Sequence, residues 1–211
     1  MSEPTPIVHL VDDDESFLRA LARLLTARRF TVRTHLSAAH FLQACDPEGP
    51  GCVVADLRMP DLDGLDLQLA LARIGNPLPL VFLTGHGDIA STVRAMREGA
   101  EDFLEKNAPA DMLVEAVNRA LARDAREREE RTHLAGLRAA FAALTQREHE
   151  VLTHVVRGRL NKQIAGDLGI HERTVKLHRT ALMAKLRVRS VAELTRLTQE
   201  AGMLPAPQPH P

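Results

Sequence analysis

The sequence has few aromatic residues and few cysteines. Its 211 residues include six Phe and two Cys but no Trp or Tyr. The shortage of aromatic faces argues against a surface that stacks single-stranded bases. Cys45 and Cys52 cannot build a disulfide framework or a cysteine-rich zinc site, which suggests a reducing compartment. The start of the sequence shows no export signal, and no apolar run approaches the roughly 18 residues of a membrane span, so we expect a cytoplasmic protein without membrane contact.

Charge is distributed unevenly along the chain. Residues 1–123 carry 12 Lys and Arg against 18 Asp and Glu, whereas residues 124–211 carry 15 against 10. Segments of opposite sign indicate two domains, an acidic one suited to a cation and a basic one suited to a polyanion. On charge alone, an ordinary fluctuation around neutrality is the alternative.

The first 123 residues alternate between strand and helix patterns. Strand patterns at 7–11, 31–35, 52–55, 80–83 and 102–105 are separated by helical segments, and a last helix runs from Pro109 to about Arg123. This order predicts an α/β domain with a five-stranded parallel, doubly wound sheet of the flavodoxin-like kind. We expect residues 124–143 to form a charged helical linker, 144–201 an all-α domain, and the proline-rich segment 202–211 a disordered tail.

Polar side chains follow four of the predicted strands. Asp12 and Asp13 follow the first strand, Asp56 the third, Thr84 the fourth, and Lys106 the fifth. Because ligands of open parallel sheets bind at the carboxyl ends of the strands, these side chains are expected to meet. Clustered carboxylates favour a hard divalent cation such as Mg²⁺, and a carboxylate in such a site can attack phosphorus to give an aspartyl phosphate. The alternative is that these residues only cap turns and helices.

At these positions the sequence resembles the receiver domain of bacterial response regulators. The matching segments are Val11-Asp12-Asp13-Asp14, Asp56-Leu57-Arg58-Met59-Pro60-Asp61 with Asp63-Gly64, Thr84-Gly85-His86-Gly87, and Gly99-Ala100 leading to Phe103-Leu104-Glu105-Lys106. The resemblance implies that a sensor histidine kinase phosphorylates Asp56. It also implies that Asp13, Asp56 and the main-chain carbonyl of Arg58 ligate Mg²⁺ and that Asp12 assists, largely through water. Finally, it implies that Thr84 and Lys106 bind the phosphoryl oxygens and that Phe103 reorients with Thr84.

One departure from this family concerns the residue after Lys106. The family usually has Lys-Pro with a cis peptide bond, whereas this chain has Lys106-Asn107. A cis bond before a non-proline residue costs ~3 kcal/mol, so the sequence leaves it open whether the Lys106–Asn107 bond is trans or keeps the cis form of the family.

The basic part of the chain has a helix-turn-helix pattern. Thr145-x-x-Glu148 predicts a capping box, Asn161 is expected to cap a second helix, and Gly169 supplies the turn before a third helix at 172–186. At 100° per residue, the core side of this third helix holds Val175, Leu182 and Leu186. The opposite side mixes cations, a hydroxyl and small or apolar groups, which suits a major groove: Arg173, Lys176, Leu177, Thr180 and Ala184. A solvated basic helix is the alternative.

This segment resembles the LuxR-type DNA-binding domain of the NarL/FixJ class. The matching segments are Leu144-Thr145-x-x-Glu148-x-x-Val151-Leu152, Asn161-Lys162-x-Ile164-Ala165, Thr174-Val175-Lys176-x-His178 and Lys185-Leu186-x-Val188. The resemblance implies a four-helix unit that acts in pairs on double-stranded DNA. His178, Arg179, Asn161 and Lys162 are expected to join the DNA contacts. His171 stands where the family commonly has a capping Ser, and imidazole is a poorer cap.

Together the two resemblances predict a response regulator that is not an enzyme beyond its own phosphorylation and dephosphorylation. Phosphorylation is expected to favour a homodimer and sequence-specific DNA binding, with RNA polymerase as a further partner. Two alternatives remain. One is a Mg²⁺-dependent phosphohydrolase of the haloacid dehalogenase class with Asp12 as nucleophile, and the other is an adaptor whose basic domain binds only proteins.

Overall fold

The computed structural model describes residues 4–46, 48–74, 78–85 and 89–203. The chain divides into two compact units, Met1–Arg128 and Glu129–Pro211. The greater part of the expected disordered tail, from residue 204 onward, lies outside the described residues, as does His86. Within the described ranges, no helix combines the length and apolarity needed to cross a membrane.

The first unit contains a five-stranded parallel sheet. The strand order is β2-β1-β3-β4-β5, and every neighbouring pair is parallel. The five strands are β1 (Ile7–Val11), β2 (Thr31–His35), β3 (Gly51–Asp56), β4 (Leu80–Thr84) and β5 (Asp102–Glu105). All six residues of β3 and all five of β4 are buried, because helices cover both sides of the sheet centre.

Helices on the two faces enclose separate apolar cores. The helices of this unit are α1 (Glu15–Ala27), α2 (Ala38–Ala44), α3 (Gly64–Arg73), α4 (Ile89–Arg97) and the first part of α5 (Ala110–Ala142). Helices α2, α3 and α4 contribute Phe41, Leu67 and Ala95 to one core. Helices α1 and α5 contribute Leu25 and Val117 to the other. The predicted doubly wound flavodoxin-like fold is therefore confirmed.

Gly64 allows α3 to begin close to the end of β3. A Cβ atom at this position would lie 2.6 Å from the carbonyl oxygen of Asp56 and 2.7 Å from a ring carbon of Phe82. Backbone atoms cannot move away as a flexible side chain can, so only glycine fits here. The close approach fixes the backbone that carries Asp56.

Helix α5 is longer than the sequence pattern suggested. The prediction that it ends near Arg123 is wrong, because the helix continues to Ala142. Between Ala110 and Ala135 there is no Gly or Pro to interrupt it. Ion pairs one turn apart also stabilise the extension: Arg123 Nε lies 2.7 Å from Glu127 Oε1, and Arg128 Nε lies 2.9 Å from Asp124 Oδ2.

The second unit is formed by the end of α5 and four further helices. These are α6 (Gln146–Val156), α7 (Asn161–Leu168), α8 (Glu172–Lys185) and α9 (Val191–Glu200). Their core includes the fully buried residues Phe141, Val151, Ile164, Val175, Leu182 and Leu194. The capping box predicted at Thr145 and Glu148 is present, and Gly169 ends α7 in the left-handed conformation with φ of 65°. The predicted four-helix arrangement is confirmed.

The predicted capping role of Asn161 is wrong. Leu160 occupies the N-cap position of α7, and its backbone N–H donates to Gln163 Oε1 at 2.9 Å. Asn161 is the first residue of the helix, and its side chain does not cap it. Its Oδ1 accepts a hydrogen bond from Arg179 instead. At the start of α8, His171 is the N-cap residue and makes no side-chain capping bond, as expected for imidazole.

Candidate functional site

Three carboxylates meet at the carboxyl ends of β1 and β3. One side-chain oxygen of each of Asp12, Asp13 and Asp56 lies within 4.8 Å of the others. Asp12 is 3% exposed and Asp56 8% exposed, whereas Asp13 is open to solvent. Strand-end placement therefore brings together the carboxylates that the sequence analysis grouped, with a spacing that suits a divalent cation bound by oxygen.

Lys106 joins two of these carboxylates. Its Nζ atom lies 2.6 Å from Asp12 Oδ2 and 2.8 Å from Asp56 Oδ2. Its backbone N–H donates to the carbonyl oxygen of Thr84 at 2.8 Å, which ties the loop after β5 to the end of β4. The Lys106–Asn107 peptide is trans, which answers the question that the sequence left open.

Burial and charge act in opposite directions on this cluster. Burial raises the pKa of Asp12 above its ordinary value, although the hydrogen bond from Lys106 lowers it. Burial lowers the pKa of Lys106, but hydrogen bonds to Asp12 and Asp56 outweigh this effect and raise it overall. One lysine beside three carboxylates leaves an excess of negative charge, which a metal cation would neutralise.

Thr84, Arg58 and Phe103 lie at different positions relative to the carboxylate cluster. Thr84 is 1% exposed at the end of β4, next to the strand that carries Asp56. The backbone N–H of Arg58 donates to Asp56 Oδ1 at 3.3 Å. Phe103 is half-buried on β5, where its ring centroid lies 5.9 Å from that of Phe82. Thr84 and Arg58 thus lie near Asp56, whereas Phe103 pairs with Phe82, two residues before the end of β4.

Asp14 and Phe17 have roles that the sequence analysis missed. Asp14 is the N-cap of α1, where its Oδ1 accepts hydrogen bonds from the backbone N–H groups of Ser16 and Phe17. The ring of Phe17 then lies beneath Lys106, with Nζ 4.6 Å from the ring centroid. The capping role has a sequence signal, since Asp is a preferred N-cap residue. The contact with Lys106 has none, because these residues are 89 positions apart.

In the second unit, α8 separates buried and exposed faces as predicted. Val175 and Leu182 are fully buried, and Leu186, directly after the helix, is 6% exposed. The predicted groove-facing residues Arg173, Lys176, Leu177, Thr180 and Ala184 are all exposed. Leu177 is 65% exposed, which is unusual for leucine and leaves an apolar contact available beside the cations.

The other predicted DNA contacts differ in their surroundings. Lys162 is exposed, whereas His178 and Arg179 are half-buried. Arg179 Nη1 donates to Asn161 Oδ1 at 2.8 Å, so this pair joins α8 to the start of α7. On the exposed face, Thr180 Oγ1 donates to the carbonyl oxygen of Lys176 at 3.0 Å. The surface therefore combines exposed cations with the hydrogen-bonded pair of Arg179 and Asn161.

Family comparisons agree with both sites. Residues 8–118 match the response regulator receiver domain, and residues 142–198 match the luxR family of bacterial regulatory proteins. The chain therefore belongs to the two-component response regulators, in the NarL/FixJ class that joins a receiver to a LuxR-type helix-turn-helix domain. The family predicted from the sequence is confirmed, and the haloacid dehalogenase alternative finds no support.

Relatives match nearly the whole chain. Nodulation protein W of Bradyrhizobium diazoefficiens is 43% identical, over 93% of this chain and 87% of the relative. Transcriptional regulatory protein FixJ of Azorhizobium caulinodans is 41% identical, over 98% of this chain and 97% of the relative. The solved structure of response regulator StyR is 45% identical and superposes with a TM-score of 0.86, over 93% of this chain and 99% of that one. The match extends across both domains.

Proposed function

We propose that this response regulator accepts a phosphoryl group on Asp56 from a sensor histidine kinase and then binds duplex DNA as a homodimer. The observation that carries the proposal is the meeting of Asp12, Asp13, Asp56 and Lys106 at one edge of the sheet. Residues 1–123 form the phosphoacceptor domain, 124–143 the linker and 144–201 the DNA-binding domain. In this proposal the protein acts in the cytoplasm, where it regulates transcription through RNA polymerase.

The carboxylate of Asp56 is the nucleophile. One of its oxygens attacks phosphorus, the bond from phosphorus to the donor histidine nitrogen breaks, and an aspartyl phosphate forms. Asp12, Asp13, Asp56 and the main-chain carbonyl of Arg58 would hold Mg²⁺, which would supply neutralisation of the charge on the phosphoryl oxygens. The chain catalyses only this transfer to itself and the later hydrolysis.

Lys106 and Thr84 receive the phosphoryl group. The ammonium of Lys106 already contacts Asp56 Oδ2, so it is close enough to bind an oxygen of a phosphoryl group there. The hydroxyl of Thr84 donates to another oxygen and moves toward it, and Phe103 follows. This movement shifts the receiver domain toward conformations whose surface binds a second copy of the chain.

The basic face of α8 then enters the major groove. Lys176, Thr180 and Arg173 contact base edges and phosphates, and Leu177 contacts thymine methyl groups. His178 and Lys162 reach phosphates, while Arg179 and Asn161 do so as a bonded pair. Two such helices in a dimer read two half-sites.

Asp56 is the residue on which we expect phosphorylation. With acetyl phosphate and Mg²⁺, the wild-type chain should gain one phosphoryl group, because Asp56 is the carboxylate placed for attack. Asp56→Asn should gain none, since the amide is not a nucleophile. Mass spectrometry after chemical trapping of the acyl phosphate locates the group.

Asp61→Asn is the matched control, because Asp61 is an exposed aspartate five residues away whose positive φ Asn tolerates. It should be phosphorylated like the wild type. Phosphate found on Asp12, or uptake by Asp56→Asn at the wild-type rate, contradicts the proposed site.

A further inference from the structure

Lys106 has a third partner besides its two carboxylates. Its Nζ atom lies 4.6 Å from the centroid of the Phe17 ring, while the same atom contacts Asp12 and Asp56. The face of an aromatic ring carries negative charge density and attracts a cation within about 6 Å. The Lys106 side chain is 23% exposed, so water only partly weakens this attraction.

The position of the Phe17 ring follows from the first turn of α1. The backbone N–H of Phe17 donates to Asp14 Oδ1 at 3.1 Å, so the helix cap fixes the residue that carries the ring. Asp14 N in turn donates to Asp12 Oδ1 at 2.9 Å. Hydrogen bonds therefore connect the carboxylate of Asp12 to the backbone of the residue beneath Lys106.

The ring of Phe17 contacts both the apolar core and a charged side chain. Phe17 is only partly buried against the core of α1 and α5, and it lines a cavity of about 190 Å³ that also reaches Lys106. The walls of the cavity are mostly apolar, including Leu24, Ala108 and Leu113, and its charged lining residues are Glu105 and Lys106. The Lys106 ammonium lies above the ring, and the cavity leaves room for small substituents on the ring.

We propose that Phe17 is a positioning residue for phosphoryl transfer, because its ring holds the Lys106 ammonium beside Asp56. The inference rests on the proposed phosphorylation of Asp56. Lys106 has four rotatable side-chain bonds, and the ring restricts where its charge lies. A weaker ring contact lowers the fraction of molecules whose ammonium is in place for the incoming phosphoryl group.

Fluorination tests this role without changing the shape of the ring greatly. Mono-, di- and trifluorophenylalanine, introduced at position 17 alone, withdraw electron density stepwise from the ring face. The initial rate of phosphorylation by acetyl phosphate should fall with each fluorine, by about two- to tenfold in total. Phe17→Tyr should keep most of the wild-type rate, and Phe17→Leu should fall by a similar factor.

Phe30 is the matched control, because it is half-buried against the same core. Fluorination of Phe30 should leave the rate unchanged. A rate that does not change, or rises, with fluorination of Phe17 overturns the inference, as does an equal fall with Phe30. Failure of the proposed function looks different, since the wild-type chain would then take up no phosphate at Asp56.

Discussion

Three consecutive aspartates in this chain have three different surroundings. Asp12 is buried against Lys106, Asp13 is exposed beside the carboxylate cluster, and Asp14 caps α1. The rule that ligands bind at strand ends was sufficient to predict that Asp12, Asp13, Asp56 and Lys106 meet. The division of roles among the three depends on how the chain turns between β1 and α1, which no periodic pattern in the sequence encodes.

Two buried histidines also contact each other, although their spacing in the sequence does not predict this contact. His9 Nδ1 lies 3.1 Å from His35 Nε2, and the rings pack against Phe41 and His40. Burial, together with the charges of His35 and Arg33, lowers the pKa of His9 to about 4. Burial, together with the charges of His40 and Arg33, lowers the pKa of His35 to about 4. The pair is therefore neutral in the folded chain at pH 7.

This pair predicts that the first unit loses stability in mild acid. Unfolded histidine protonates near pH 6.5, whereas the folded pair protonates near pH 4. Between these values the unfolded state binds more protons, so the free energy of unfolding should fall as pH falls, by up to about 1.4 kcal/mol per pH unit for each histidine. Hydrogen exchange of β1 and β2 amides between pH 7 and pH 5 measures this slope.

The double variant His9→Leu/His35→Leu should flatten the slope, because it removes both titrating groups. His171→Gln, an exposed histidine of the second unit, should leave it unchanged. An equal slope in the wild type and the double variant would refute the assignment.

At the scale of elements, the faces of α8 were predictable and the surroundings of α5 were not. A helical period assigned Val175 and Leu182 to the core and Lys176 to the surface because one stripe of α8 packs against its neighbours. The charged residues after Arg123 are typical of a solvated linker. Asp124 is in fact 2% exposed, which its polarity does not suggest.

Asp124 and Arg128 fasten α5 to the loop before β3. Asp124 Oδ2 accepts from the backbone N–H of Gly51 at 2.9 Å and from Arg128 Nε at 2.9 Å. Arg128 also donates to the carbonyl oxygens of Glu48, at 2.6 Å, and Gly49. This buried cluster holds the helix in place just where the sequence pattern suggested that it ends.

Removing the carboxylate should therefore destabilise the first unit. Asp124→Ala leaves Arg128 and the Gly51 N–H without their acceptor, which should lower the free energy of unfolding by about 3 kcal/mol. Urea unfolding followed by circular dichroism measures the change. Glu130→Ala, an exposed neighbour on α5, should stay within about 0.5 kcal/mol of the wild type. Equal effects of the two substitutions would mean that the cluster contributes no net stability.

The exposed face of α8 carries the prediction for DNA binding. Lys176→Ala should weaken binding while the helix stays folded, since Lys176 is exposed opposite the core residues. If Lys176 contacts a base, its loss should cost about 1 to 3 kcal/mol of binding free energy and relax the base preference at one position of the DNA site. If it contacts a phosphate, its loss should reduce the slope of log affinity against log salt concentration by roughly one. Binding titrations at several salt concentrations distinguish these cases.

Arg196→Ala removes an exposed cation on α9 of the same unit and should have the smaller effect. If Lys176→Ala and Thr180→Ala both bind like the wild type, α8 does not enter the groove in this orientation.

At the scale of the whole molecule, the division of charge matches the two sites. The acidic excess of residues 1–123 includes the carboxylates of a candidate cation site, and the basic excess of residues 124–211 includes cations on the exposed face of α8. The alternation of strands and helices was enough to predict the α/β fold, whereas the four-helix unit was implied by the resemblance to LuxR-type domains. The continuity of α5 across the predicted boundary was not predictable, because it depends on contacts between Arg128 and a loop some 80 residues earlier.

Duplex affinity with and without phosphorylation tests the central claim most directly. DNA fragments selected by the phosphorylated chain are titrated with wild type and Asp56→Asn, each with and without acetyl phosphate and Mg²⁺. The account predicts that the affinity of the wild type rises by about tenfold on phosphorylation, and that the affinity of Asp56→Asn does not change. An unchanged wild-type affinity, or an equal rise in Asp56→Asn, would contradict it.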